Sequence, residues 1–179
     1  MILPLIQKRR SIRKYQKKSV ESDKIHALVE AALRSPSSMG NNPWEFVVVD
    51  DAGLLDKLSK ARPQGSAWIK NAPLGIVVCA DPERSTVWVE DASIAGTYIQ
   101  LAAESLGLGS CWIQVRERMH DQTKTAEAYI AEVLNLPKKL KVEAMIGIGY
   151  PDEQKAPHPK DTLLYGKVHQ NLYEKPFKG

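Results

Sequence analysis

Leu74-Gly75-Ile76-Val77-Val78-Cys79-Ala80 is a continuous apolar stretch that ends at the turn-forming pair Asp81-Pro82. Such an unbroken run predicts a buried strand, because a strand covered on both faces has no need of alternating polar residues. Phe46-Val47-Val48-Val49 has the same continuous β-forming character and predicts another strand that is buried on both faces. Both segments are therefore expected in the interior of the protein.

The sequence on either side of these strands predicts two more strands and a set of helices. The further strands are 110–115 and 141–150, and the helices are 2–9, 23–34, 51–61, 87–106 and 126–134. Ser22 is a candidate cap for the second helix, Asp50 and Asp51 for the third, and Gly107 ends the fourth as a left-handed cap. Helices and strands mix without strict β-α-β alternation, which predicts an α+β fold.

The longest predicted helix, 87–106, combines an apolar stripe with many small residues. The stripe consists of Val87, Ile94, Tyr98, Leu101 and Leu106, and the small residues are Ala92, Ala95, Gly96, Ala102 and Ala103. Small side chains let another element approach the helix closely. The small residues are equally consistent with packing inside one subunit and with a position in the core of a dimer.

Length and composition are those of one ordinary globular domain. The chain has 179 residues, of which 43% are hydrophobic and 26% charged. No apolar run reaches the ~18 residues of a membrane span, and no secretory signal is visible, so we expect no membrane partner. Cys79 and Cys111 lack metal-ligand spacing and predict buried, reduced thiols in a cytoplasmic protein.

The formal net charge is +4, and the basic residues concentrate at 8–18 and 155–178. A nucleic-acid-binding protein would show a basic stripe interleaved with aromatic residues, or a recognisable reading helix. Neither is visible, so we expect no nucleic-acid partner. Attraction of a small anionic ligand explains this modest charge more simply.

Arg9-Arg10-Ser11-Ile12-Arg13 places three guanidinium groups and a hydroxyl within five residues. Arginine can bind a phosphate through two hydrogen bonds at once, whereas the alternative for such a cluster is a solvated basic face. A second stretch, Pro36-Ser37-Ser38-Met39-Gly40-Asn41-Asn42-Pro43-Trp44-Glu45-Phe46, is rich in small polar residues and leads into an apolar strand. Together they suggest the two ends of a site for a flat, phosphorylated cofactor.

The usual catalytic motifs are missing from the sequence. Gly107-Leu108-Gly109 and Gly147-Ile148-Gly149 lack the third glycine of the dinucleotide fingerprint, and there is no phosphate loop, nucleophile elbow or zinc motif. Ser37 and Ser38 have no assignable histidine partner, so a serine nucleophile is disfavoured. We therefore expect no catalytic side chain and no metal, and a cofactor that carries the chemistry.

Four blocks of the chain, taken in order, resemble the FMN-dependent nitroreductase family. They are Arg9-Arg10-Ser11-x-Arg13, then Pro36-Ser37-Ser38 with Asn42-Pro43-Trp44-Glu45-Phe46, then 106–113, then 147–151. The resemblance as a whole covers about residues 5 to 173 of the 179. The resemblance implies a central mixed, mainly antiparallel sheet flanked by helices. It also implies an intertwined homodimer, in which residues 1–179 form one FMN-binding domain and 152–179 extend to wrap the partner subunit.

The resemblance also implies which residues bind FMN. The residues that match the block holding the phosphate and reaching the polar edge of the flavin are Arg9, Arg10, Ser11 and Arg13. Pro36, Ser37 and Ser38 match a loop that reaches from the other subunit to cover the ring near its methylated edge. The stretch 112–115, with Trp112, Ile113 and Gln114, matches the strand whose backbone N–H approaches flavin N5.

Two assignments stay open within the resemblance. Lys155 and Lys160 both fall where the family often places another basic residue on the phosphate. Many members have asparagine where Gly40 stands here, so that Asn41 or Asn42 is the candidate replacement.

The implied function is hydride transfer from NADH or NADPH through flavin N5 to small electron-poor acceptors, such as nitroaromatics and quinones, by a ping-pong mechanism. The alternatives are other flavin chemistry on the same scaffold, such as reductive dehalogenation or flavin destruction, and a non-catalytic flavin-binding protein.

Overall fold

A four-stranded antiparallel sheet forms the centre of the computed structural model, which describes residues 2–177. The strands are β1 (Trp44–Val49), β2 (Leu74–Ala80), β3 (Gly109–Gln114) and β4 (Lys141–Gly149), in the order β1-β2-β4-β3. The helices are α1 (Leu3–Lys8), α2 (Ser22–Leu33), α3 (Ala52–Ser59), α4 (Trp88–Ser105) and α5 (Ala126–Leu134). The predicted α+β class and mainly antiparallel sheet are confirmed, and a single parallel bridge joins Ser11 to Ser110.

The two central strands have helices on both faces, which explains their continuous apolar sequence. Every residue of β2 is buried, as are all residues of β4 after Lys141. On one face Val77 and Met145 pack with residues of α3 and α5, and on the other Ile76 and Ile146 pack with residues of α2 and α4. Burial on both faces removes the requirement for polar alternation.

Strand β1 corrects one expectation from the sequence. It lies at the edge of the sheet and pairs only with β2, and Val48 is 38% exposed. The prediction of burial on both faces was therefore wrong for this strand. Valine favours extended backbone wherever the strand lies, so its presence does not reveal whether a neighbouring element covers it.

Helix α4 packs mainly small residues against the sheet. The buried small residues are Ala92, Ala95, Gly96 and Ala103. Their packing within one subunit is therefore established. Val87, Ile94 and Tyr98, which the sequence pattern placed in the apolar stripe, are exposed, so this stripe is not the buried face of the helix. Close approach of α4 to the sheet favours small side chains between them, and Ile99 is the larger side chain among the buried residues of this helix.

The helix ends agree with most of the local signals. Asp51 caps α3 by accepting a hydrogen bond from the Leu54 N–H at 2.7 Å, and Gly107 adopts φ +74° after α4. The prediction that Ser22 caps α2 was wrong. Ser22 is the first helical residue, and Glu21 takes the cap position without a side-chain hydrogen bond.

The segment after β4 lies outside the core. No residue from 156 to 177 is buried, and the backbone folds back on itself where Phe177 N donates to Val168 O at 3.2 Å. Its apolar side chains face solvent, with Leu172 66% and Tyr173 80% exposed. Across residues 2–177, each helix is too short or too polar to pass through a lipid bilayer.

Candidate cofactor site

The arginine-rich segment is anchored beside β3 by its apolar residues. Ile12 N donates to Ser110 O at 3.0 Å, and Ile12 packs over Gly109, where an added Cβ would lie 2.8 Å from Ile12 Cβ. Tyr15 is buried, and its hydroxyl lies 2.5 Å from Ile12 O and 3.0 Å from Gly147 O. Burial raises the pKa of this hydroxyl, which stays neutral at physiological pH. The backbone of residues 12–15 is therefore held against β3 and β4.

One cavity brings together three of the residues predicted to bind the cofactor. It has a volume of about 470 Å³ and lies between α1, α4 and β3. Its lining residues are Ile6, Arg9, Ser11, Thr97, Gln100, Leu101 and Trp112. We call this the cofactor cavity. It combines a cation, a hydroxyl, an indole ring and aliphatic side chains.

A second cavity, of about 440 Å³, lies beside the same basic segment and includes Arg10 and Lys155. The Arg10 guanidinium donates to Ala156 O. Lys155 Nζ donates to Ser11 O at 2.6 Å and pairs with Glu153 at 3.3 Å. Of the two candidate lysines, Lys155 thus contacts the basic segment. Lys160 lies in an exposed turn, Lys160–Thr162, and its side chain makes no hydrogen bond or ion pair with that segment among residues 2–177.

Glu153 connects the start of the C-terminal segment to the arginines. Its carboxylate accepts hydrogen bonds from Arg13 N at 2.6 Å and Lys14 N at 3.1 Å. Burial acts to raise the pKa of Glu153, but these hydrogen bonds and Lys155 outweigh it and hold the pKa below its usual value. The sequence contained no signal for this role, because the two segments are distant in the chain.

Several basic side chains affect the pKa of the Cys111 thiol. Burial raises the pKa of its thiol, while the charges of Arg13, Lys155 and Arg9 and a hydrogen bond with Ser11 act in the opposite direction. These cations belong to different cavities, because Arg9 lines the cofactor cavity and Arg13 lines another one with Tyr15 and Lys70. Both cysteines are buried and free, as predicted.

The loop after α2 is strained and is held together by its own hydrogen bonds. Ser37 Oγ donates to Asn42 Oδ1 at 2.8 Å and accepts from Asn42 N at 2.9 Å. Met39 adopts φ +52° and Asn42 φ +45°, which are uncommon for residues other than glycine. Asn42, rather than Asn41, makes the side-chain contact that holds the loop together.

The loop is tied to the first turns of α4, away from the cofactor cavity. Ser38 N donates to Asp91 Oδ1 at 2.8 Å, and Ser85 Oγ donates to Asp91 Oδ2 at 2.8 Å. Asp91 is buried, and Thr97, the first residue of α4 in the cavity wall, lies six residues further along, which is about 9 Å of helix; none of Pro36, Ser37 and Ser38 lines the cavity. One chain therefore does not bring Pro36, Ser37 and Ser38 to its own cavity.

At the end of β3, the Trp112 side chain lines the cofactor cavity, and the Gln114 carbonyl accepts a hydrogen bond from another segment. Trp112 faces the cavity, whereas the Ile113 side chain is buried in the core on the opposite face of the sheet. Arg62 Nη1 donates to Gln114 O at 3.0 Å. Arg62 lines neither cavity, and its hydrogen bond joins the end of β3 to the segment after α3.

Known proteins show the same fold and related sequences. A sequence profile of the Nitroreductase family matches residues 6–64 and 62–150. The solved FMN-dependent nitroreductase of Clostridium difficile R20291 is 52% identical, with a TM-score of 0.94 over 96% of this chain and 99% of that one. A protein of Methanothermobacter thermautotrophicus, whose name pairs NADH dehydrogenase with NAD(P)H nitroreductase, is 36% identical over 171 residues, covering 94% of this chain and 85% of its own length.

A third relative is the FMN reductase [NAD(P)H] of Bacillus subtilis, 29% identical over 173 residues, covering 84% of this chain and 66% of its own length. The profile match extends across the arginine-rich segment, the strained loop and all four strands. The chain belongs to the nitroreductase family.

Proposed function

We propose that this protein binds FMN in the cofactor cavity and acts as an NAD(P)H-dependent oxidoreductase. The observation that carries the proposal is the meeting of Arg9, Ser11 and Trp112 around one cavity. The FMN-dependent nitroreductase with 52% identity supports the choice of cofactor.

The residues of the cavity fit the chemistry of FMN. The volume of about 470 Å³ lies within the range of about 300–1,000 Å³ found for ligand pockets. Trp112 and Leu101 offer apolar surface to a flat ring system. Arg9 and the Ser11 hydroxyl offer charged and neutral donors to a phosphate, and Lys155, which donates to Ser11 O at 2.6 Å, adds to the positive field beside them.

Bound FMN would supply hydride acceptance from NADH or NADPH at N5 and electron transfer to a second substrate, in a ping-pong cycle. The protein's own residues would bind the cofactor, orient it and shield it from water. Arg9, with Lys155 beside Ser11, would hold the anionic end, Trp112 and Leu101 would form the wall, and the backbone of 112–115 is the proposed donor along the ring edge. The acceptors that suit such a site are flat and electron-poor, such as nitroaromatics and quinones.

We further propose that the active form is a homodimer in which residues 1–179 form one domain per subunit. The loop that contains Ser37 and Ser38 does not line the cavity of its own chain, which supports a role in covering the ring in the partner subunit. The extension 152–179 would wrap the partner, because its apolar side chains have no cover within residues 2–177. Exposed Ile94 and Tyr98 on α4 add apolar surface for the same contact.

The visible spectrum of the purified protein tests the cofactor directly. We expect a yellow preparation with flavin bands that NADH or NADPH bleaches under anaerobic conditions. A colourless protein that FMN does not reconstitute would contradict the proposal. Stoichiometric flavin without oxidation of NADH or NADPH would indicate a flavin carrier, and product analysis with nitroaromatic, halogenated and flavin substrates separates the reaction types.

A further inference from the structure

A chain of hydrogen bonds runs from the wall of the cofactor cavity to a buried carboxyl group. The Trp112 indole Nε1 donates to Gln114 Oε1 at 2.9 Å. Gln114 Nε2 in turn donates to Glu143 Oε1 at 3.2 Å and to Arg116 O at 3.3 Å. Glu143 lies on β4, belongs to none of the matched cofactor-binding blocks, and is only 3% exposed.

A bulge in β4 aims the Glu143 side chain at Gln114. In the pairing with β2, Val78 is opposite Ala144 and Cys79 is opposite Val142, so Glu143 is the extra residue between them. A bulge redirects one side chain in a strand that would otherwise alternate, and bulges are frequent beside active sites. In a regular strand, the Glu143 side chain would lie on the sheet face opposite to the side chains of Val142 and Ala144.

The donors and acceptors permit one orientation of the Gln114 carboxamide. An indole N–H can only donate, so it requires the amide oxygen, and the amide nitrogen must then face acceptors. Glu143 Oε1 and Arg116 O are those acceptors. If Gln114 were flipped, its NH₂ group would oppose the indole N–H, and its oxygen would face two other oxygens.

The burial of Glu143 is costly, which indicates a specific role. Its Oε2 atom is buried without a hydrogen-bond partner among residues 2–177. Burial raises its pKa, the hydrogen bond from Gln114 and the charge of Arg116 act to lower it, and the charges of Glu117 and Glu90 act to raise it. An apolar residue at this position would avoid the desolvation of a carboxyl group.

We propose that Glu143 is a positioning residue that acts through the Gln114 carboxamide to fix the plane of the Trp112 indole, and so the wall against which FMN binds. The proposal rests on the proposed function for the identity of the ligand. Gly96 completes the arrangement, because an added Cβ would lie 2.4 Å from Trp112 Cζ3 and would push the ring out of this plane.

Solvent exchange of the Trp112 indole N–H in the cofactor-free protein tests the hydrogen-bond chain without any flavin. The chain contains 4 tryptophans, so the ¹H–¹⁵N spectrum has few indole signals, and Trp112→Phe identifies the one that matters. We expect Glu143→Leu to accelerate this exchange by about fivefold or more, because the acceptor that orients Gln114 is lost. Glu143→Gln, whose amide oxygen can still accept from Gln114, should stay within about twofold of the original rate.

Two further variants keep the test decisive if Glu143→Leu folds poorly. Gln114→Met should accelerate the Trp112 exchange as much as Glu143→Leu, and combining the two should add nothing further. Ile130→Ala removes buried side-chain volume from α5, in the core on the other sheet face, and is the control for general destabilisation. Its Trp112 exchange should be unchanged.

FMN titration then connects this positioning to the cofactor. We expect Glu143→Leu and Gln114→Met to raise the Kd for FMN by about five- to tenfold and to shift the midpoint potential of the bound flavin, with Glu143→Gln and Ile130→Ala near the original values. An unchanged Trp112 exchange, or an unchanged FMN affinity and potential, in both disruptive variants would overturn the proposal. If the unmodified protein binds no FMN, the proposed function fails, and the exchange experiment still decides whether Glu143 positions Trp112.

Discussion

Arg9 is the cation of the cofactor cavity itself, and its contribution can be measured separately. Replacing Arg9 with alanine removes charge-assisted hydrogen bonds to a phosphate, worth about 1.5–3 kcal/mol, which corresponds to a roughly 10- to 150-fold higher Kd for FMN. Arg34→Ala is the matched control, because Arg34 is exposed and pairs with Glu30 on α2. Equal FMN affinity in the two variants would show that the phosphate binds elsewhere.

The structure also distinguishes the two lysines that the sequence left open. Lys155 Nζ reaches Ser11 O, beside the cavity, whereas Lys160 is exposed. We expect Lys155→Ala to weaken FMN binding about tenfold and Lys160→Ala to leave it within about twofold, as measured by fluorescence titration. The reverse order would mean that the C-terminal segment changes its position when the cofactor binds.

Gly96 permits the close approach of α4 to Trp112, so its replacement should destabilise the protein. Alanine would gain about 1 kcal/mol in helix propensity, but overpacking costs about 1–3 kcal/mol, and the indole ring beneath Gly96 is rigid. We expect a net loss in the free energy of unfolding by urea. Gly166→Ala is the control, since an added Cβ there meets nothing within 4 Å, and it should have an effect below about 0.5 kcal/mol.

At the scale of the elements, Glu21 and Tyr150 join the start of α2 to the end of β4. The Tyr150 hydroxyl donates to a Glu21 oxygen at 2.6 Å, and Lys18 pairs with the other oxygen at 3.1 Å. The Tyr150 hydrogen bond, helped by a backbone hydrogen bond and Lys18, lowers the pKa of Glu21 to about 2. A lowered carboxyl pKa stabilises the fold above the unfolded-state value, and this stabilisation is lost as the pH falls through the folded-state value.

Tyr150→Phe should therefore alter the acid limb of the stability curve. We expect the variant to be less stable than the original protein above about pH 5, and the difference to shrink between about pH 4.5 and pH 2 as Glu21 becomes protonated in the folded protein. Urea unfolding across pH 2–7 measures this difference. A difference that stays constant, or grows, toward pH 2 would show that Glu21 is not the group responsible.

At the scale of the whole molecule, the C-terminal segment exposes apolar side chains that are not buried within residues 2–177. If this segment wraps a partner subunit, Leu164→Asp combined with Leu172→Asp should shift the mass in sedimentation from twice 19.9 kDa toward 19.9 kDa. The energetic reason is that two exposed leucines would no longer bury their apolar surface on association. His158→Asp introduces an acidic residue at an exposed polar position of the same segment and should leave the mass unchanged.

An original protein that sediments as a monomer would contradict the dimer proposal at once. A dimer that persists in the double variant would instead place the interface on α4 and α1, where Ile94, Tyr98 and Ile6 are exposed.

Local sequence determined the elements of this protein and the chemical character of its site. The all-apolar stretch of β2, Asp51 before α3 and Gly107 after α4 each specify local structure through contacts within a few residues, and the arginine-rich block defines an anion-binding character wherever it lies. Only the tertiary structure decided which helices and strands pack against each other. It made β1 an edge strand, turned the small side of α4 toward the sheet, brought Lys155 to Ser11, and aimed Glu143 at Gln114 through a bulge. These outcomes depend on contacts between residues tens of positions or more apart, and neither propensity nor periodicity carries information over that separation.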